Sequence, residues 1–304
     1  MKKLAFLPLA VILFALPLVL TSCDDDDDDP VMTTTVVDIA TGDPNFSTLV
    51  DALTKANLVT TLQGTGPFTV FAPTNAAFDQ LFIDLGVNGI ADLDAATLTP
   101  ILLYHVVSGD VRSNMLSNGF VPSLSDGPES TNVDIEVDIT SGVVLNGSTM
   151  VTTADLAADN GVVHVIDKVL LPPTVVDMAI NNADFNILVD AVVHAGLAPT
   201  LSGAGPFTVF APTDAAFTTF LNSVSVNAIT DLPAADVEAV LLNHVVSGNV
   251  EASEVMTGSV PTLGANPVNL DASSGVVING TINVVIADIQ GANGVIHVID
   301  AVIQ

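Results

Sequence analysis

Residues 62–78 and 201–217 read LQGTGPFTVFAPTNAAF and LSGAGPFTVFAPTDAAF, identical at 14 of 17 positions and 139 residues apart. The same spacing relates Phe46 to Phe185 and LLYHVVSG (102–109) to LLNHVVSG (241–248). Further on, SGVVLNG (141–147) answers SGVVING (274–280), and NGVVHVIDKV (160–169) answers NGVIHVIDAV (293–302). The offset there is 133, so the second copy is six residues shorter somewhere between Gly109 and Ser141. A period of this size lies far above the ~20–50 residues of solenoid and propeller repeats. The chain must therefore build one kind of domain twice, and its 304 residues suit two domains of about 100–200 residues each.

Each copy opens with helical signals and closes with strand signals. Asp43-Pro44 opens a helix in which Phe46, Leu49, Val50 and Leu53 fall at i, i+3, i+4 and i+7, repeated by Phe185, Leu188, Val189 and Val192. Gly64–Pro67 turns into a short strand, Phe68–Ala72. Thr74 or Asn75, and Thr213 or Asp214, then cap a helix with apolar face Phe78, Leu81, Phe82 and Leu85, or Phe217, Phe220, Leu221 and Val224. A further helix carries Leu98, Ile101 and Leu102, or Val237, Val240 and Leu241. Pro100 predicts that it starts late or kinks in copy one. The rest is rich in Val, Ile and Thr, punctuated by Asn-Gly and Ser-Gly turns, and reads as strands. Helices early and strands late give an α+β unit.

Composition removes several functions. Five Lys and Arg oppose 34 Asp and Glu, a charge of −29. Nucleic-acid backbones are bound mainly through Lys and Arg, so DNA and RNA are excluded as partners. The same sign argues against docking on anionic lipid through a basic patch. One cysteine permits neither an intrachain disulfide nor a cysteine-based zinc cluster. With no Trp and a single Tyr, an aromatic-lined carbohydrate cleft is hard to build.

The first residues, MKKLAFLPLAVILFALPLVLTSC, have the basic start and apolar run of a secretory signal, with prolines at 8 and 17 that disfavour a spanning helix. Leu20-Thr21-Ser22-Cys23 resembles the bacterial lipobox. That resemblance implies removal of residues 1–22 and acylation of Cys23, which anchors the chain in a membrane. Without Lys2 and Lys3, three bases would face 34 acids, a charge of −31. Asp24–Asp29 then reads as an extended, solvated tether within residues 23–34. Such an acidic run resembles a signal for export to the outer face of the outer membrane. An Asp directly after the cysteine resembles, in other bacteria, a signal for retention at the inner membrane.

GPFTVFAPTNAAF, LLYHVV and NGVVHVIDKVLLP, in this order and spacing, resemble the hallmark segments of fasciclin-like domains, covering 35–172 and 173–304. The resemblance implies two wedge-shaped β-sandwiches with packed helices, no catalytic activity, and no cofactor. It also implies adhesion or binding to extracellular matrix, a cell-surface protein or a polysaccharide. In animal members the Tyr-His pair is tied to adhesion, and it stands here as Tyr104-His105. Copy two departs from it with Asn243-His244, which confines any tyrosine-dependent contact to the first domain. The competing reading is a periplasm-facing scaffolding lipoprotein.

The residues taken singly say less. His105 and His244 sit seven positions after Leu98 and Val237, on the apolar face, where a core histidine held by a hydrogen bond competes with a binding residue. His164 and His297 belong to strands, and His194 reads as solvated. No histidine pair has zinc-ligand spacing, and there is no GxSxG, HExxH or phosphate loop. Polysaccharide hydrolysis lacks a paired-acid motif. Asp134, Glu136 and Asp138 alternate along one strand face, read as solvated rather than as a calcium site. Asp167 and Asp300 should accept hydrogen bonds that close each domain. The Asn-x-Ser/Thr triplets at Asn45, Asn146 and Asn279 would matter only in a eukaryotic secretory route.

Overall fold

A Thr-x-x-Asp capping box starts each copy. Thr35 Oγ1 accepts from the Asp38 amide and Asp38 accepts from the Thr35 amide, at 3.2 and 2.9 Å, which satisfies two orphan donors of helix α1, Val36–Gly42. Thr174 and Asp177 do the same for α6, Val175–Asn181. The computed structural model describes residues 34–304. The expectations for the signal segment, Cys23 and the aspartate run therefore lie outside the described residues.

Copy one continues with α2 (Ser47–Lys55), α3 (Val59–Leu62), β1 (Phe68–Pro73), α4 (Asn75–Leu85), α5 (Ala95–Tyr104), β2 (Val106–Ser108), β3 (Gly119–Asp126), β4 (Asn132–Asp138), β5 (Val144–Leu145), β6 (Thr149–Ala158) and β7 (Gly161–Ile166). Copy two repeats the series as α7 (Asn186–His194), α8 (Ala198–Leu201), β8 (Phe207–Pro212), α9 (Asp214–Ser223), α10 (Ala234–Leu242), β9 (Val245–Ser247), β10 (Gly258–Val260), β11 (Val268–Asp271), β12 (Val277–Ile278), β13 (Ile282–Gly291) and β14 (Gly294–Ile299). Pro44 heads a single 3-10 turn, and α2 begins only at Ser47. Of the candidate caps, Thr74 and Thr213 cap α4 and α9. Asn75 and Asp214 instead reach back to the first turns of α2 and α7, where they accept from the Thr48 and Ile187 amides at 3.0 and 2.8 Å. Pro100 does not delay α5. Asp94 caps it from the Thr97 amide at 2.8 Å, and the buried Leu98 and Leu102 hold a helix that lacks one internal donor.

The strands of copy one close on themselves. β1 runs parallel to β7 and antiparallel to β2, and the antiparallel series β2-β3-β4-β5-β6-β7 completes the ring. Two cores result. Phe46, Leu49, Phe78, Leu98 and Leu102 pack the helices onto β1 and β7. Phe71, Tyr104, Val107, Ile135, Leu145 and Ile166 fill the space between the β1-β2-β7 wall and the β4-β5 wall. Copy two has the same two cores but an open seven-stranded sheet, ending at β9 and β10.

The missing six residues come from the β3–β4 hairpin. Beyond the pair Val121–Ile135, copy one carries thirteen residues of hairpin tip, and beyond Val260–Val268 copy two carries seven. The longer hairpin lies on copy two. The carboxylate of Asp134 accepts from the Gln290 amide at 2.9 Å, and Phe120 packs against the helical core of copy two. A Cβ on Gly127 would come within 3.0 Å of the Gly291 carbonyl, and one on Gly147 within 2.7 Å of Asn181 O. The acidic strand face is thus not solvated as its alternation suggested. Asp134, bonded to copy two, is 9% exposed, and Glu136, across the strand pair from Phe120, is half-buried, while Asp138 is exposed. Residues 34–304 accordingly lie within one compact unit.

One buried asparagine per copy joins the helices to the sheet. Asn160 Oδ1 accepts from the Val36 amide at 2.9 Å, and its Nδ2 donates to Leu62 O and Gly64 O at 2.8 Å each. Asn293 does the same for Val175, Leu201 and Gly203. The next residue must be glycine, since at Gly161 (φ +152°) a Cβ would sit 1.9 Å from Phe68 O across the β1–β7 pair. Asn160→Ala strands three backbone groups in the interior at about 1–3 kcal/mol each. We expect copy one to lose at least about 3 kcal/mol in urea-unfolding measurements, with Asn293→Ala acting on the transition of copy two.

Candidate functional site

Helix α5 delivers Tyr104 and His105 to opposite sides of the sheet. Tyr104, the last residue of the helix, is fully buried inside the strand ring. Its hydroxyl donates to Asp134 O at 2.8 Å and accepts from Asn146 Nδ2 at 2.9 Å. Asn146 Oδ1 in turn accepts from the Glu136 amide at 3.0 Å. Burial, ahead of the nearby Asp134 and Glu136 charges, pushes the phenol well above its ordinary value, so it stays a neutral donor. Tyr104 therefore braces the strand that carries Asp134 and Glu136 onto copy two.

His105 caps the helix and holds the end of the domain. Leu170 N donates to its Nε2 at 2.9 Å, which leaves Nδ1 as the protonated nitrogen, donating to Ile101 O at 2.7 Å. His244 repeats the arrangement with the Ile303 amide and Val240 O, at 2.9 and 2.8 Å. Complete burial pushes both imidazoles down to about 4. Neutral and with both nitrogens spent, neither is free to act as a base or a ligand.

Asn243 occupies the position of Tyr104 and is 5% exposed. Its Oδ1 accepts from Asn266 N at 3.3 Å, in the short loop that replaces the hairpin tip. That loop folds back onto α10 and β9, with Leu263 N and Gly264 N donating to Val245 O and Leu242 O at 2.7 and 2.9 Å. A Cβ on Gly264 would fall 2.1 Å from Asn243 Oδ1. The loop backbone is packed directly against the Asn243 side chain. The loss of the tyrosine and the loss of the hairpin tip are one structural change.

The four candidate binding side chains, Tyr104, His105, Asn243 and His244, thus lie inside the two domains. Comparison with known proteins agrees with the repeated architecture. The profile of the Fasciclin domain matches residues 44–172 and 183–304. The chain belongs to the fasciclin family. An uncharacterized protein of Synechocystis is 42% identical over 137 residues, 45% of this chain and 96% of that protein. The cell surface glycolipoprotein MPB83 of Mycobacterium bovis is 36% identical over 148 residues, 45% of this chain and 60% of that one. Human periostin is 30% identical over 248 residues, 80% of this chain but only 29% of periostin. Among solved structures, a FAS1 domain pair from the insect cell adhesion molecule fasciclin I aligns at 20% identity and TM-score 0.46, covering 84% of this chain and 92% of that one.

The remaining histidines of the fasciclin pair are also engaged. His164 stacks on Phe71 and His297 lies tilted against Phe210, with centroids 5.6 and 5.7 Å away, and the two imidazoles accept from the Asp155 and Asp288 amides. His194 is not merely solvated: its Nε2 reaches Leu232 O at 2.9 Å, as Lys55 Nζ reaches Ile90 O and Ala91 O in copy one. Asp167 and Asp300 accept from the Met150 and Asn283 amides at 2.8 Å each, tying the last strand of each domain to its neighbour. Asn146 and Asn279 hold left-handed turns at φ 47° and 50°. Among the described residues, no three His, Cys, Asp or Glu side chains converge to hold a metal ion.

Sequence reading missed Asn160 and Asn293, which stood inside the NGVVHVID motif as turn residues. Each owes its role to partners ninety or more residues away. The buried imidazoles set a pH dependence. A histidine whose folded pKa lies below its unfolded one stabilises the fold above the ordinary value near 6.5, and that stability is lost as pH falls toward 4. We expect His105→Gln/His244→Gln to unfold at lower urea at neutral pH. Its midpoint should also fall less steeply than the parent's on acidification between those values, measured by circular dichroism.

Proposed function

We propose that this fasciclin protein is anchored in the cell envelope through acylated Cys23 and presents its two domains at the outer surface to a matrix or cell-surface partner, a protein or a polysaccharide. The observation that carries the reading is the likeness to the mycobacterial cell surface glycolipoprotein, which joins a lipidated, surface-exposed character to the same domain. The lipobox-like Leu20–Cys23 and the acidic run behind it agree with that placement. The likeness to periostin covers 80% of this chain and so takes in the tandem rather than a single domain.

Charge narrows the partner. Of the three bases outside the signal segment, Lys55 is spent on carbonyl oxygens and Arg112 on Asp110, at 2.6 and 2.8 Å. A surface so poor in available cations selects neutral or basic partners over polyanions, because like charges across an interface are penalised. The two domains, held together by the β3–β4 hairpin, would engage such a partner as a single unit.

Protease shaving of intact source cells, followed by immunoblotting, tests the placement. Loss of the band while a periplasmic lipoprotein stays intact is the expected result. Protection that persists after capsule removal would overturn surface display in favour of a periplasm-facing scaffold.

A further inference from the structure

The hairpin that joins the domains carries carboxylates that the fold itself does not call for. At the positions of Asp134 and Glu136, copy two has Pro267 and Asn269. In copy one Asp134 is buried and Glu136 half-buried on the strand that faces the partner domain. Asp134 accepts the Gln290 amide at 2.9 Å, and Glu136 stands directly across the strand pair from Phe120, which packs into the helical core of copy two.

The charges around them are acidic from both domains. Asp288 and Glu251 of copy two act on Asp134. Asp184 of copy two and Asp138 on the same strand act on Glu136. His297 lies 3.8 Å from Asp288, but burial holds its pKa below the ordinary histidine value, so it adds no charge at neutral pH. Tyr104, bonded to the Asp134 carbonyl, is neutral as well. Ionised carboxylates in such a place repel the surface they are seated on. Protonated, they remove the repulsion and lose little, since the Gln290 amide still finds an acceptor.

We propose that the long hairpin of copy one is a proton-operated clasp: protonation of Asp134 and Glu136 seats it on copy two, and their ionisation loosens it. Burial pushes Asp134 up to about 6 and Glu136 up to about 7. A carboxyl group that binds its proton more tightly when docked makes docking stronger as pH falls through those values. The gain is complete near the ordinary carboxylate pKa and is lost again as pH rises. The clasp is a property of the chain itself and stands whether or not the domains face the cell exterior.

Hydrogen exchange on the full-length chain reads it directly, with rates corrected for the intrinsic pH dependence of exchange. The peptide containing Gln290 should be protected about tenfold more at about pH 6 than at about pH 8. In Asp134→Asn/Glu136→Gln that ratio should collapse toward one, with protection at the acid level of the parent. Phe120→Ala, which removes the hairpin side chain packed against the helical core of copy two, gives the undocked reference. A parent without pH response, or a double variant that keeps it, overturns the proposal. If the double variant does not fold, carboxyl carbon resonances of the unmodified chain decide. Asp134 and Glu136 titrating near the ordinary carboxylate value of about 4 would overturn it equally.

Discussion

Each domain hangs on the parallel pairing of its first and last long strands and on the asparagine that guards its entry. β1 and β7 come from opposite ends of the domain, and nothing local in the chain brings them together. Asn160 stands at the turn into β7 and binds the start of α1 and the end of α3 through one side chain. The glycine beside it lets the Phe68 backbone pass at a distance that no other residue permits. Helix layer, sheet and chain entry are thus fixed at one point. His105 and His244 then close the opposite end by holding the last segment of each domain.

On this shared frame the two copies differ in one concerted way. Copy one keeps a tyrosine at the end of α5 and a long hairpin above it, and the tyrosine hydroxyl supports the hairpin at Asp134 O. Copy two replaces both with an asparagine and a short loop that folds onto it. The consequence is asymmetric. One domain supplies an arm and closes its strand ring, while the other receives the arm on β13 and leaves its sheet open between β9 and β10. Tyr104 therefore matters to the relation between the domains even though it touches only its own.

The periodic stripes and the repeated motifs were enough to place helices α2, α4 and α5, the strand at Phe68 and the α+β order of each copy. They are local signals, and burial of Phe46, Leu49, Phe78 and Leu98 follows from them. Helix α1 went unread because it lacks a long apolar stripe. Its only mark is the Thr35–Asp38 box, which a proline a few residues later overshadowed. The acidic face of β4 was legible as a face but not as an interface. Alternation tells which residues share a side, whereas only the length of a hairpin from the same domain, laid on the other copy, decides what that side meets. The same limit hid the clamps of Asn160 and Asn293, whose partners are set by topology.

Acid acts on the two levels of this structure in opposite directions. The buried imidazoles make each domain less stable as pH falls from the ordinary histidine value toward 4, because charging them breaks bonds in which Nε2 must accept. The carboxyls at the domain junction gain from the same protons, beginning near 7 for Glu136 and 6 for Asp134. The junction therefore responds first on acidification, while the histidines are still neutral and the domains intact. A carboxylate pair in a chain with so few cations has no ion-pair route to burial, so the proton is the available counter-charge. In an acidic two-domain protein that makes proton uptake the means by which the joint can be firm without a lysine or arginine at its centre.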